Sequence, residues 1–317
     1  MPERRERVLF AGGVALLLAA AVLAWWLWLG RQPVPSGRPP PPSPVEGLAA
    51  VQVTGQVLLR RPGAAGPVVL RGGQQLLPDD EVETGPGATV QLAAGESYRV
   101  DLEENSRFAV REITAELGRF RLAEGLMSAR VRDDPARLFE VEAGPQALAR
   151  TRGGDLSVSA GEGGAEVAVR RGQAEVASAG RAVVVRSGER AVVLPGAAPT
   201  DPSPIPTSLL LEVNWPRVEA TNQRRLVVTG RTEPGALLAV GGQPVPVGRD
   251  GTFRAVVYLK EGPQQLSATA RDAGGHRRHE RSGAILLNTR GAPARFETDR
   301  LWGNEGNAPT GGRKPSP

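Results

Sequence analysis

Few side chains in this sequence could do chemistry, and the most conspicuous group is a basic segment that contains both histidines of the chain. His276, Arg277, Arg278 and His279 stand together in the string GGHRRHER. Two histidines three residues apart with a neighbouring Glu could bind a metal ion, but three arginines beside them oppose a cation, and a hairpin does not place both rings on one face. We interpret these four residues as a candidate contact for an anionic lipid, lipopolysaccharide or partner; the simpler alternative is a solvated loop.

Catalytic chemistry has little support elsewhere. The chain has no cysteine, which excludes disulfides, cysteine-ligated metals and thiol nucleophiles. No Gly-x-Ser-x-Gly elbow, phosphate loop or dinucleotide fingerprint occurs, and the acidic turns at residues 79–81 and 101–105 lack calcium-loop spacing. We therefore predict a protein that is not an enzyme, with no catalytic residue, metal or cofactor. A carboxylate pair that hydrolyses glycosides stays open, although the 4% aromatic content disfavours a sugar-stacking cleft.

Composition indicates turns rather than long helices. The 317 residues include 40 glycines and 28 prolines, and the net charge is only +5. This modest charge disfavours nucleic acid as a partner.

The N-terminal segment predicts a membrane anchor. Residues 8–30 form an unbroken apolar run, long enough for a helix that crosses a bilayer. Trp25, Trp26 and Trp28 gather at its end as membrane-interface anchors, and the arginines among residues 1–7 place that short stub in the cytoplasm. The alternative is a cleaved signal peptide, for which the run is long and lacks a good cleavage site.

The remaining chain predicts two all-β domains on proline-rich connections. Residues 31–47 form a Pro-rich stalk, residues 48–194 alternate in the period-2 pattern of half-buried strands, and residues 195–208 form a linker. Short strands begin again in residues 209–290, and the length of this segment suits an immunoglobulin-like sandwich. Residues 291–317 are expected to be a disordered tail. The first domain is expected to be a β-sandwich, or a solenoid-like arrangement.

A family resemblance rests on the turns of the first domain. DEVETGPGATVQLAAGESYRVDLEENSRFAV at residues 80–110 resembles the FecR domain, as do the later strings FEV at 139–141, VAVRRG at 167–172 and SGE at 187–189. Asp79, Glu96 and Gly154 depart from the family pattern; the family usually has threonine where this chain has Gly154. Residues 228–236, 250–253, 259–262 and 272–275 resemble bacterial immunoglobulin-like modules, which implies a spacer or binding platform.

The resemblance implies a regulator whose periplasmic part senses a receptor, while a cytoplasmic domain holds a sigma factor. Because only residues 1–7 precede the apolar run, we expect a membrane-anchored periplasmic binding or signalling module without that cytoplasmic domain. It would cross the bacterial inner membrane once and bind another envelope protein or a cell-wall component. The alternative is a structural envelope scaffold that engages peptidoglycan, secretion machinery or surface components. An exposed sheet edge in either domain could accept a partner strand.

Overall fold

Strands follow one another along the whole of the computed structural model, which describes residues 47–144 and 146–289. No helix occurs among these residues, so the all-β prediction is confirmed for them. Sixteen strands belong to the first sheet system. They are β1 (Leu48–Thr54), β2 (Val57–Arg60), β3 (Val68–Val69), β4 (Gln75–Leu76), β5 (Glu81–Thr84), β6 (Thr89–Ala94), β7 (Tyr98–Leu102), β8 (Arg107–Ile113), β9 (Leu117–Val131), β10 (Leu138–Ala143), β11 (Ala147–Thr151), β12 (Gly154–Gly161), β13 (Gly164–Ser178), β14 (Arg181–Arg186), β15 (Glu189–Val193) and β16 (Ser203–Pro204).

Two long strands join this system into two layers. β9 and β13 have 15 residues each, and each pairs with one set of strands along its first half and another set along its second half. One layer runs β16-β15-β13-β12-β9-β7-β6-β1-β4, and the other runs β3-β2-β5-β8-β9-β10-β11-β13-β14. The pairing of β9 with β10 is parallel, and the other pairings in both layers are antiparallel.

The core of this first module lies between the two layers. Alternate side chains of each strand point inward, as the period-2 pattern predicts. Phe108, Phe120 and Phe139 are fully buried there, and their rings and that of Tyr98 lie 5.2–5.6 Å apart between centroids. The arrangement is a sandwich, which decides between the two architectures expected for this domain.

A row of alternating charges crosses the outer face of the second layer. Glu112, Arg119, Glu140, Arg150 and Glu175 occupy directly opposed positions on five neighbouring strands. The carboxylate of Glu140 lies 2.6 Å from Arg119 Nε and 2.8 Å from Arg150 Nε. Burial alone would raise the pKa of Glu140, but the hydrogen bonds and charges of Arg150 and Arg119 outweigh it and hold that pKa below its ordinary value. The two central ion pairs of the row therefore stabilise the sheet only while Glu140 is ionised.

Replacing Glu140 by glutamine is expected to lower the free energy of unfolding by about 1–2 kcal/mol near neutral pH, because both guanidinium groups keep access to water. The folded-state pKa of Glu140 lies below its unfolded value, so this contribution is complete above the unfolded pKa and is lost as the pH falls through the folded pKa. Urea unfolding of E140Q and wild type along an acid series checks this. E175Q, at the exposed end of the row, is the matched control, and an E140Q deficit that persists unchanged in acid would contradict the prediction.

The linker lies along the first module. β16 pairs with β15, and the Ile205 N–H donates to the Gly188 carbonyl. The Ser178 hydroxyl donates to the Ala197 carbonyl, and Arg181 pairs with Asp201. The connection is therefore held against the sheet over much of its length.

The second module contains eight strands in two sheets. They are β17 (Leu211–Asn214), β18 (Ala220–Thr221), β19 (Arg225–Thr232), β20 (Leu237–Val240), β21 (Gln243–Val245), β22 (Thr252–Tyr258), β23 (Gly262–Arg271) and β24 (Arg277–Leu287). One sheet runs β17-β19-β22 and the other β18-β24-β23-β20-β21. Both contribute to one core, which includes Val228, Phe253, Ala268 and Ile285. The expected two-sheet sandwich is present; its immunoglobulin-like classification stays a prediction.

The predicted anchor falls outside the described residues. This applies to the apolar run at residues 8–30 with Trp25, Trp26 and Trp28, to the stalk except Gly47, and to the tail at 291–317. Among residues 47–144 and 146–289, no helix has the length and apolar character needed to span a bilayer.

Candidate functional site

The first module lies directly against the backbone of the second module. Gly163 lies at the tip of the β12–β13 hairpin, and a Cβ atom added there would stand 2.4 Å from the Val247 carbonyl oxygen of the second module. The Ser159 hydroxyl donates a buried 3.0 Å hydrogen bond to the Gly235 carbonyl. Only a glycine permits the first approach, so the local sequence of the hairpin tip sets how closely the modules meet.

A small apolar cluster lies beside these contacts. Leu126 of β9, Ala168 of β13 and Ala273 of the β23–β24 turn are buried together, and Ile205 and Leu237 pack against them. The cluster joins one layer of the first module, the linker and the second module. The cluster is small, so specific polar contacts must do much to hold the two modules in their relative position.

A buried ion triad supplies one such contact. Glu166 on β13 is fully buried, and its carboxylate lies 3.0 Å from Arg190 Nη1 on β15. Arg190 Nη2 lies 2.7 Å from Glu233 of the second module. Burial raises the pKa of Glu166 above its ordinary value, while the charge and hydrogen bond of Arg190 oppose that rise. The triad therefore depends on Arg190, which faces a carboxylate from each module.

A second set of ion pairs joins the modules at the other side. Arg271, at the end of β23, lies 2.9 Å from Glu103 and 3.1 Å from Glu104 in the turn after β7. Arg277, at the start of β24, lies 2.7 Å from Glu104. These pairs and the triad fix the second module by two separate charged contacts.

A cleft of about 470 Å³ lies between the modules. The hairpin residues 160–163 form one wall; residues 236–239, in and just before β20, form an apolar opposite wall with residues 244–247. Carboxylates, guanidinium groups and one imidazole stand around it, namely Glu104, Glu124, Glu162, Arg271, Arg277 and His279. An apolar wall with charges of both signs at the rim suits a polypeptide segment better than a single small ion.

Strand addition is disfavoured at the sheet edge that borders this cleft. β21 is the edge strand, and Pro244 and Pro246 in and after it have no N–H to donate. A segment in the cleft would therefore be held by side-chain contacts. The expectation of strand addition stays a prediction for the other edges.

The structure separates the four residues predicted as an anion or partner contact. His276 bonds through its backbone N–H and Nδ1 to the buried Asp272 carboxylate, and Arg277 is paired with Glu104. His279 Nδ1 lies 3.0 Å from the Thr269 hydroxyl and lines the cleft. Arg278 is exposed on β24, opposite Ala270. No group of three or more residues that could hold a metal ion occurs among the described residues.

Sequence reasoning missed Glu166, Arg190 and Glu233. One signal was available, because Glu166 interrupts the string GAEVAV, whose six residues are all buried. A carboxylate in a strand that is buried on both faces needs a counter-charge. Its counter-charge Arg190 lies 24 residues further along the chain, and Glu233, which pairs with Arg190, lies 67 residues further. Nothing local identifies either residue.

Fold and cleft together define an all-β protein of two modules with a cleft between them. Residues 80–175 match the family model described as FecR protein, which confirms the resemblance to that family over this part of the chain. The match covers less than half of the sequence, and it does not include the second module.

Solved structures with some likeness come from bacteria. Two crystal structures of a candidate anti-sigma factor from Parabacteroides distasonis share 21% and 20% identity, cover 38% of this chain and have TM-scores of 0.35. Fibronectin(III)-like modules of Clostridium thermocellum CbhA share 12% identity over 57% of this chain and 94% of theirs, with a TM-score of 0.22. The chain spans 59% of the length of the anti-sigma factor structures. The comparison with curated proteins found no match.

Proposed function

We propose that this protein is a non-enzymatic binding module of a signalling system, and that it holds a segment of its regulatory protein partner in the cleft between its two β modules. The observation that carries this proposal is the pair of charged contacts on the two sides of the interface. They hold the walls of the cleft at a fixed separation, so a partner meets a preformed site and less ordering is required on binding. The FecR match supports a role in signalling.

The location of the module is part of the proposal. The apolar run at residues 8–30, with Trp25, Trp26 and Trp28 at its end, would anchor the chain in the bacterial inner membrane. Residues 47–289 would then stand on the periplasmic side, where the partner is another envelope protein.

Site-specific photo-cross-linking in intact cells tests the proposal. A photoreactive residue at Glu162 or Pro246, both exposed and lining the cleft, is expected to capture one protein partner. The same residue at Arg186, exposed on β14 and away from the cleft, is the control. Filling the cleft with P246W should abolish the capture at position 162, because the indole occupies the space of the bound segment.

The identity of the captured molecule decides between functions. A sigma regulator or a receptor favours signalling, whereas peptidoglycan or a secretion component favours the structural scaffold. Equal capture at positions 162, 246 and 186, or capture that P246W leaves unchanged, would contradict a binding site in the cleft.

A further inference from the structure

A second surface of the molecule carries an unusual combination of side chains. The sheet β17-β19-β22 buries Phe253 and Ala255 on its inner face, so alternate residues of β22 point outward. These outward residues are Arg254, Val256 and Tyr258, and we call this outer side the β22 face. Tyr258 is 74% exposed and Val256 is 39% exposed.

Three arginines extend along the β22 face. Arg225 on β19 lies directly opposite Tyr258, and Arg254 on β22 lies opposite Thr229. Arg231 stands further along β19, between Thr252 and Glu212. Within the described part of the chain, Arg225 and Arg254 form no ion pair, whereas the adjacent Arg224 lies 4.0 Å from Glu261. Glu212 and Asp250 are the acidic groups near Arg231.

The dimensions of the β22 face limit what can bind it. Three strands about 4.8 Å apart and seven residues of about 3.4 Å each define a patch roughly 10 Å wide and 23 Å long. A standard protein interface buries about 800 Å² on each partner, several times this area. A single extended polymer chain along the strands fits the patch.

The side chains of the β22 face indicate which kind of polymer it would bind. Guanidinium groups bind carboxylates and phosphates through paired, charge-assisted hydrogen bonds. An exposed aromatic ring offers a flat apolar surface with a polar edge, and a sugar ring presents a matching flat C–H face. Arg225 and Tyr258 stand side by side, so one saccharide unit can contact both.

We propose that the β22 face binds an extended anionic polysaccharide, with its acidic groups on Arg225 and Arg254 and one sugar ring on Tyr258. This site is separate from the cleft, and it does not depend on the function proposed for the cleft. Because the interaction is charge-based and exposed, it weakens as salt is added.

Affinity electrophoresis of the protein tests this, with polygalacturonate as the carboxylate probe and phosphomannan as the phosphate probe. Retardation by either probe is expected, and the stronger one identifies the acidic group. R225Q/R254Q is expected to lose about tenfold in affinity for each guanidinium removed. Y258A is expected to lose about fivefold and Y258F to retain binding.

Three controls make the outcome decisive: a variant of the first module, an uncharged polymer, and polyglutamate as an acidic peptide. R99Q/R186Q removes two exposed arginines of the first module and should bind as the wild type does. Fully methyl-esterified polygalacturonate has the same backbone without charge and should not bind. Equal loss in both double variants, equal binding of the ester, or tighter binding of polyglutamate would overturn the proposal; the last would favour an acidic peptide. Unchanged melting temperatures show that the variants are folded.

Discussion

Replacing Arg190 by glutamine is expected to lower the free energy of unfolding by about 3–5 kcal/mol, because it leaves Glu166 buried without a counter-charge. Arg190 lies 3.0 Å from Glu166 and 2.7 Å from Glu233, so the variant loses both a contact within the first module and one between modules. Urea unfolding near neutral pH measures the loss. The cleft walls should also become less fixed. We therefore expect weaker cross-linking of the partner at position 162.

The pH dependence of this deficit follows from Glu166. Its folded-state pKa is raised above the unfolded value, so its contribution is complete below the unfolded pKa and is lost as the pH rises through the folded pKa. Without Arg190 the pKa of Glu166 is raised further. The variant therefore loses more stability than the wild type does as the pH rises. The difference in stability between R190Q and wild type should shrink in acid, where Glu166 is protonated in both.

Two further variants isolate the cause. R132Q breaks an exposed pair with Glu96 and should cost less than about 1 kcal/mol. Adding E166Q to R190Q removes the unpaired charge and should recover part of the lost stability. An R190Q deficit as small as that of R132Q would show that the buried triad does not stabilise the protein.

Restoring the usual family residue at Gly154 is expected to destabilise this chain by about 4 kcal/mol, as the sum of backbone strain and overpacking. Gly154 has φ +121°, and an added Cβ would stand 2.2 Å from the Arg171 carbonyl oxygen. The neighbouring β12–β13 register shifts between Asp155 and Leu156. A threonine at 154 therefore collides with backbone, which cannot move aside as a flexible side chain can.

G180T is the matched control for G154T. Gly180 also has a positive φ, +77°, but nothing lies within 4 Å of an added Cβ. It should therefore show the backbone strain alone, about 1–3 kcal/mol. The urea midpoints of the two variants are compared, with G154A as a milder change if G154T fails to fold. Equal midpoints for G154T and G180T would mean that the close approach to Arg171 has no energetic consequence.

Local pattern predicted the strands well but not their partners. Alternation in strings such as Phe120–Leu122 and Phe139–Val141 depends only on neighbouring residues, and these side chains are indeed buried. The division of β9 between two layers depends on pairing with residues up to 35 positions away, such as Gly125 with Ala160. No periodicity in sequence encodes that choice.

The candidate site was harder to predict for the same reason. The residues GGHRRHER attracted attention as a free basic loop, but Arg277 is paired with Glu104, 173 residues earlier. Conversely, Tyr258 and Arg225 are unremarkable in sequence and become neighbours only because β19 and β22 are antiparallel with that register. The role of a charged side chain depends on partners that are distant in the sequence. Reasoning from a single sequence identifies only neighbours along the chain.

The sharing of β9 and β13 between the two layers has a consequence for how the first module loses its structure. Each strand is hydrogen-bonded into both layers, so peeling one layer away would break the same continuous backbone segment that organises the other. The layers therefore order and melt together as one cooperative unit. A pull transmitted along the chain would then meet an all-or-none mechanical element, without a graded series of weaker steps.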